Sequence, residues 1–151
     1  MTLTDAQEKD TGFLAEAEKL CFPGREWKKS DIEYLVKQDY SYCRICESGY
    51  LIGRILGGEA ELLRIGVLPA HRGKGTGRRL LTDFLTACIK KKVERVFLEV
   101  RESNTVARSL YESTGFVCRS TRRNYYGNED AMIYDLNTGE IEGYIPHDDR
   151  W

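Results

Sequence analysis

Residues 72–77, Arg-Gly-Lys-Gly-Thr-Gly, place glycine at every second position between an apolar run, Ala60–Leu68, and an amphipathic stretch opening at Gly77. Three alternating glycines suit neither a helix interior nor a sheet, so the backbone must curl sharply there. The run before them, AELLRIGVL, is apolar on both faces around Leu62, Leu63, Ile65 and Val67, the pattern of a central strand covered on both sides. After them, Leu80, Leu81, Phe84, Leu85 and Cys88 fall on one helical stripe, predicting a helix from Gly77 to about Lys92. A covered strand, a glycine turn and an amphipathic helix together require a layered α/β fold.

The remaining elements fill that frame. Helices are expected at Thr11–Phe22, with Phe13, Leu14, Ala17, Leu20 and Cys21 facing in, and after a cap at Ser30 or Asp31. Strand-like runs at 41–47 and 50–57 flank Ser48-Gly49, a tight hairpin signal. Arg95–Arg101 reads as a second central strand. A helix capped by Ser103 or Asn104 follows, with Val106, Ala107, Leu110 and Tyr111 inward and Gly115 as its stop. Strands at 116–122 and 130–136 close the pattern, joined by a turn through Asn124–Asn128, and a short strand is possible at Met1–Thr4. The expectation is one α/β (α+β mixed) domain, residues 1–136: a central mixed, mostly antiparallel sheet with helices on both faces, and a tail at 137–151.

Charge narrows the function. The chain has 151 residues and a net charge of −1, yet Arg72, Lys74, Arg78 and Arg79 crowd one turn without an acid between them. A nucleic-acid binder carries a broader basic excess, whereas one basic knot fits a small polyanion. No apolar run approaches the length of a membrane span, and Met1–Asp10 is polar, unlike a secretory or transit leader. The 5 cysteines lack the regular spacing of a disulfide framework, which points to a reducing, cytoplasmic setting. Cys43-x-x-Cys46 has no second Cys/His pair at zinc spacing, so no metal site is expected.

The glycine turn itself is the candidate ligand site. Alternating glycines bring several N–H groups toward one point, the following helix adds its positive end, and Arg72, Lys74 and Arg78 add full charges. Arg72, Gly73, Lys74, Gly75, Thr76, Gly77 and Arg78 thus read as a pyrophosphate cradle. It is not a Walker loop, since no Lys-Ser/Thr follows the last glycine, nor a dinucleotide fingerprint, which needs G-x-G-x-x-G directly after a strand.

Two titratable residues stand out. Glu99 lies mid-strand on the face opposite Val96, Leu98 and Val100, where a carboxylate costs free energy unless solvated or paired, for instance with Arg101 or Arg64. Tyr111 lies on a buried stripe and by periodicity alone is a core residue. Gly66 marks a bulge or a close approach in its strand. Tyr125 and Tyr126 either line an entrance or pack on their own hairpin, and Phe22, Trp27 and Tyr34 are candidates for an opposing wall. The acidic stretch 135–149 reads as a solvated tail or a surface for a basic protein.

Several motifs, in order, resemble one family. Arg72-x-x-Gly75-x-Gly77 after Val67-Leu-Pro69 is similar to the cofactor motif of the GNAT N-acetyltransferase superfamily. Leu98-Glu-Val-Arg-Glu-Ser-Asn104, Ala107-x-x-Leu-Tyr111-Glu-x-x-Gly-Phe116 and Arg123-Asn-Tyr-Tyr126 with Glu129-Asp-Ala131 resemble its ribosomal-protein alanine N-acetyltransferase (RimI-type) branch. The N-terminal part matches through Glu18-x-x-Cys-Phe-Pro23, and 137–151 has no counterpart. The resemblance implies acetyl-CoA as co-substrate, bound by the cradle, by the backbone of Ile65, Gly66 and Val67, and by Asn104. It also implies Glu99 as general base, Tyr111 as proton donor, and direct transfer to a protein's N-terminal amine, without an acyl-enzyme. A ribosomal protein is the implied acceptor, entering past Phe22, Trp27, Tyr125 and Tyr126. A lysine or small-amine acetyltransferase, or a CoA sensor without turnover, would keep the cradle and remains open at this level.

Overall fold

A computed structural model describes residues 1–144. Its elements are β1 (Thr4–Asp5), α1 (Thr11–Cys21), α2 (Lys29–Lys37), β2 (Ser41–Cys46), β3 (Gly49–Leu56), β4 (Glu59–Val67), α3 (Thr76–Lys90), β5 (Arg95–Arg101), α4 (Thr105–Thr114), β6 (Val117–Arg122) and β7 (Ala131–Asn137). The strands form one seven-stranded sheet in the order β1-β2-β3-β4-β5-β7-β6. Only β4 and β5 run parallel; the other pairs are antiparallel.

Helices cover both faces. Leu80, Leu81, Phe84, Leu85 and Cys88 of α3 have no exposed surface and pack with Leu62, Val96, Leu98, Val100, Tyr111 and Tyr134 in the main core. Each such apolar side chain contributes about 1.5–3 kcal/mol on burial. Phe84 is admitted by Gly53, where an added Cβ would lie 2.6 Å from its ring. On the opposite face α1 and α2 bury Leu14, Ala17 and Ile32 against Cys43, Tyr50 and Ile52. Asn104 caps α4 by accepting the Ala107 N–H at 3.2 Å, and Gly115 ends it at φ 116°.

Some expected details differ. α2 starts at Lys29 with Lys28 at its cap, so Ser30 and Asp31 lie inside the first turn, where the Asp31 charge suits the helix dipole. Leu20 is 58% exposed because the buried stripe of α1 runs Leu14, Ala17, Glu18, and Leu20 sits off it. Val106, at the open end of α4, is 82% exposed. The chain does not leave the fold at 136: β7 extends to Asn137, Thr138 bonds the Val93 carbonyl at 2.6 Å, and Ile141 is buried against Gly115. Residues 145–151, the end of the anticipated tail with Asp148 and Asp149, lie outside the described residues.

Two irregularities shape the centre of the sheet. β3 and β4 pair Ile52 with Arg64 but Gly53 with Leu62, leaving Leu63 as an extra residue, a β-bulge. β4 and β5 pair only from Glu59–Arg95 to Leu62–Leu98, although β5 goes on pairing with β7 as far as Arg101. Beyond Leu62 and Leu98 the two parallel strands part, and a gap opens in the middle of the sheet.

Candidate active site

The gap has backbone donors on one edge. Leu68 donates to the Ser48 carbonyl at 2.9 Å. The alternation of antiparallel pairing then turns the groups of Gly66 toward β3 and the N–H groups of Ile65 and Val67 away from it, toward the parted β5. The sequence reading left a bulge or a close approach open at Gly66; the bulge is at Leu63. Gly66 answers the other half of that expectation, since a Cβ there would lie 2.6 Å from the Tyr50 ring. The Val67 carbonyl is also held, by Arg72 Nε at 2.9 Å and Cys21 Sγ at 3.3 Å.

The glycine turn stands at the mouth of this gap. Gly73 and Gly75 take φ values of 78° and 84°, which only glycine adopts without strain. Gly75 precedes the first residue of α3, so the uncapped N–H groups of that helix face the same turn. A Cβ on Gly77 would lie 3.4 Å from Leu110 of α4 and 3.7 Å from Val67, which brings the turn, the tip of β4 and α4 to one point. Arg78 bonds the Ser113 hydroxyl of α4 at 2.7 Å, and Arg72, Lys74 and Arg78 are all exposed. Positive-φ glycines, a helix N-terminus and exposed cations have the chemistry of a diphosphate site.

Glu99 and Tyr111 flank the opening. Glu99 is the first residue of β5 beyond the last β4 pair. Val96, Leu98 and Val100 point into the α3/α4 core, so Glu99 points to the other face, and its side chain is 31% exposed. Its ion partner is Arg122 of β6 at 3.4 Å, neither of the two arginines expected. Tyr111 sits in the α3/α4 core against Phe116 (ring centroids 5.8 Å apart) and Tyr134 (6.4 Å), and Tyr134 pairs with Leu98. Its hydroxyl makes no hydrogen bond with the described residues, and burial raises its pKa, so the phenol keeps its proton at neutral pH. Carboxylate and phenol therefore lie on opposite faces of the sheet, with the gap between them.

Aromatic pairs line the Glu99 side. The Arg64 guanidinium lies 3.7 Å from the Phe22 ring centroid and 4.9 Å from that of Trp27. Across from it, Tyr126 covers Arg101 at 3.9 Å and meets Tyr125 edge-on at 5.2 Å. The Tyr126 hydroxyl is raised by burial and then by the Glu99 charge, and Arg64 is close enough to oppose that shift. Tyr34 is not part of this wall; it is 60% exposed on α2. Hydrogen bonds from Ser103 and Arg101 hold the Glu129 carboxyl down at about 2, fixing the tyrosine turn to β5. A hollow of about 440 Å³ between α1 and Glu26–Lys29 touches Trp27 but not the gap.

Sequence reasoning gave no role to the group beneath this wall. Glu18 has no exposed surface, and it binds Arg64, the Tyr50 hydroxyl and the Trp27 N–H. The available signal was an acid four residues past Leu14, on the buried stripe of α1. The cysteines are free thiols, and burial pushes Cys43 up to about 11 and Cys88 to about 12. Among the described residues, no His/Cys/Asp/Glu group is arranged to hold a metal, and no helix is long and apolar enough to cross a membrane.

Residues 12–116 match the acetyltransferase (GNAT) family. A [ribosomal protein bS18]-alanine N-acetyltransferase of Escherichia coli (strain K12) is 41% identical over 93 residues, 59% of this chain and 63% of that protein, so the match spans under two thirds of the relative's length. A Bacillus subtilis (strain 168) protein provisionally given the same name is 31% identical over 139 residues, 87% of this chain and 92% of the relative. The crystal structure of the ribosomal-protein-S18-alanine N-acetyltransferase from Escherichia coli superposes with a TM-score of 0.83 and 28% identity, covering 91% of this chain and 93% of that one.

Proposed function

The chain belongs to the acetyltransferase (GNAT) family, and from that premise we propose that it transfers the acetyl group of acetyl-CoA to the α-amine of a protein N-terminus, an alanine of a small-subunit ribosomal protein. The observation that carries this reading is the gap beyond Leu62 and Leu98, with a diphosphate cradle at its mouth, Glu99 on one face and Tyr111 on the other. The named relatives support the acceptor class.

Acetyl-CoA supplies a thioester and a diphosphate. The residues present fit it: positive φ at Gly73 and Gly75 leaves room above the turn, where a Cβ would meet nothing within 4 Å. Arg72, Gly73, Lys74, Gly75, Thr76, Gly77 and Arg78 would hold the diphosphate, and Asn104, the cap of α4, would also contact the cofactor. The Val67 N–H, and that of Ile65, would donate to the thioester oxygen as negative charge develops there.

The acceptor enters from the Glu99 face, between Phe22 and Trp27 on one side and Tyr125 and Tyr126 on the other. An α-amine has a pKa of about 7.7–8.0, against about 10.4 for lysine, so it needs only modest help to lose its proton near neutrality. Glu99, directly or through water, takes that proton and frees the lone pair that bonds the carbonyl carbon, and the nitrogen's second proton leaves by the same route as the amide forms. The carbon–sulfur bond breaks, the thiolate leaves toward the α4 face, and the Tyr111 hydroxyl protonates it. Attack is direct, in a ternary complex. The test is intact mass spectrometry after incubating the protein with acetyl-CoA and ribosomal proteins. One acetyl group gained on a single N-terminus is expected; transfer to a lysine peptide with a blocked N-terminus, or tight CoA binding without product, would overturn it.

A further inference from the structure

Glu18 joins the last turn of α1 to the part of β4 that edges the gap. Its carboxylate accepts the Trp27 N–H at 2.9 Å, Arg64 Nη2 at 2.9 Å, Arg64 Nε at 3.0 Å and, in a very short contact, the Tyr50 hydroxyl. Burial and the Glu18 charge both push the Tyr50 pKa up, so the phenol remains the donor. A largely buried ion pair is poor at adding stability, because well-packed apolar residues often do as well or better in its place. Its geometry suggests what it does instead.

Each partner of Glu18 fixes one wall of the opening. The Tyr50 ring rests on Gly66, so closely that no Cβ fits between them, and Gly66 lies between the two residues whose N–H groups face the gap. Arg64 lies against Phe22 and Trp27, and its Nη2 also bonds the Arg25 carbonyl at 2.8 Å. The Leu63 bulge makes this possible, because an uninterrupted ladder would turn Arg64 to the opposite face, away from α1. One side chain thus sets both the backbone donors and the acceptor wall.

We propose that Glu18 is a positioning residue for acyl transfer, acting through Tyr50 on the donors of Ile65 and Val67 and through Arg64 on the Phe22–Trp27 wall. This deepens the acetyl-transfer reading and rests on it. Misplacing reacting groups by about 1 Å costs on the order of 100-fold in rate, so the effect belongs in turnover rather than in cofactor binding, whose cradle lies on the α3 side.

The test uses the full chain with acetyl-CoA and an alanine-starting peptide, recording kcat, peptide KM, CoA affinity by calorimetry and Tm. Glu18→Gln is expected to lower kcat by roughly 10- to 100-fold with CoA affinity unchanged. Tyr50→Phe keeps the ring on Gly66 but frees it from Glu18, and should lower kcat with little change in peptide KM. Arg64→Met keeps bulk beside the aromatics and should raise peptide KM more than it lowers kcat. If all three fold, show wild-type kcat and KM, and differ only in Tm, Glu18 is merely structural and the inference fails. If Glu18→Gln does not fold, the opposite KM and kcat responses of the other two variants decide, and the same response from both refutes it. A wild-type protein that acetylates no N-terminal peptide refutes the functional reading itself, whereas an active wild type with silent variants refutes this inference alone.

Discussion

Replacing Tyr111 by phenylalanine removes one oxygen and leaves everything else that residue does. The ring still meets Phe116 and Tyr134 at the same distances. The hydroxyl bonds none of the described residues, so its loss orphans no partner, and stability should stay within about 0.5 kcal/mol of wild type. Chemistry should not be spared. Burial keeps the phenol protonated, and a thiolate leaving into the same water-poor spot is raised by the same burial, so donor and leaving group stay matched. Losing a positioned acid costs about 10²- to 10⁴-fold, or about 3–5 kcal/mol in the barrier. The assay is thiol release at saturating acetyl-CoA and peptide, run beside thermal unfolding. A variant with wild-type kcat would refute the proton-donor role and return Tyr111 to the core, where its periodicity first placed it. A variant that unfolds much earlier would refute the stability argument, because a bond to that hydroxyl must then exist.

Other expectations follow from the same geometry. Glu99→Gln should lower kcat/KM most at pH 6–7 and recover as pH rises past the acceptor amine's own pKa of about 7.7–8.0, where the amine sheds its proton unaided; a uniform loss across a kinetic pH profile would contradict a base. Gly75→Ala forces a Cβ into the left-handed region at about 1–2 kcal/mol and should weaken CoA binding about tenfold, whereas Gly77→Ala, with its nearest neighbour at 3.4 Å, should bind nearly normally; calorimetry that ranks them in reverse would be decisive against the cradle. Glu129 drops from an ordinary value of 4.5 to about 2, so its contribution to holding the tyrosine turn is complete above pH 4.5 and fades only as pH falls toward 2. Near-ultraviolet circular dichroism of the Tyr125–Tyr126 pair should keep its form down to about pH 4 in wild type and lose it at neutral pH in Glu129→Gln.

The glycine turn, the helix behind it and the central strands were legible because each is a local pattern. Alternating glycines force a turn wherever they occur, and the α3 stripe has one solution. The strand parting was not legible: Leu62 and Leu98 look no different in sequence from their neighbours, and where two strands separate depends on which residues pair across a crossover. Which of the two alternatives Gly66 would satisfy was not legible for a related reason. Gly66 is the residue a bulge would favour, but the Tyr50 ring already claims its missing side chain, and the extra residue sits at Leu63. Arg122 as the partner of Glu99 depends on a hairpin that folds back beside β5, beyond the reach of spacing arguments. Glu18 was readable as an acid on an apolar stripe and as the first residue of the Glu18-x-x-Cys-Phe-Pro23 match, signals that say something must neutralise it without saying what. The motif resemblance supplied roles for Glu99 and Tyr111 that periodicity could not, having made one an oddity and the other a core residue.

Because the donors that face the gap belong to the main chain of Ile65 and Val67, an alanine scan along this strand would leave those groups themselves untouched at both positions. The sensitive sites would surface one layer back, at Gly66, Tyr50 and Glu18, where bulk and hydrogen bonding decide how those amides are aimed. A mutational map of this protein would therefore outline its reaction centre as a ring of intolerant neighbours around a tolerant middle.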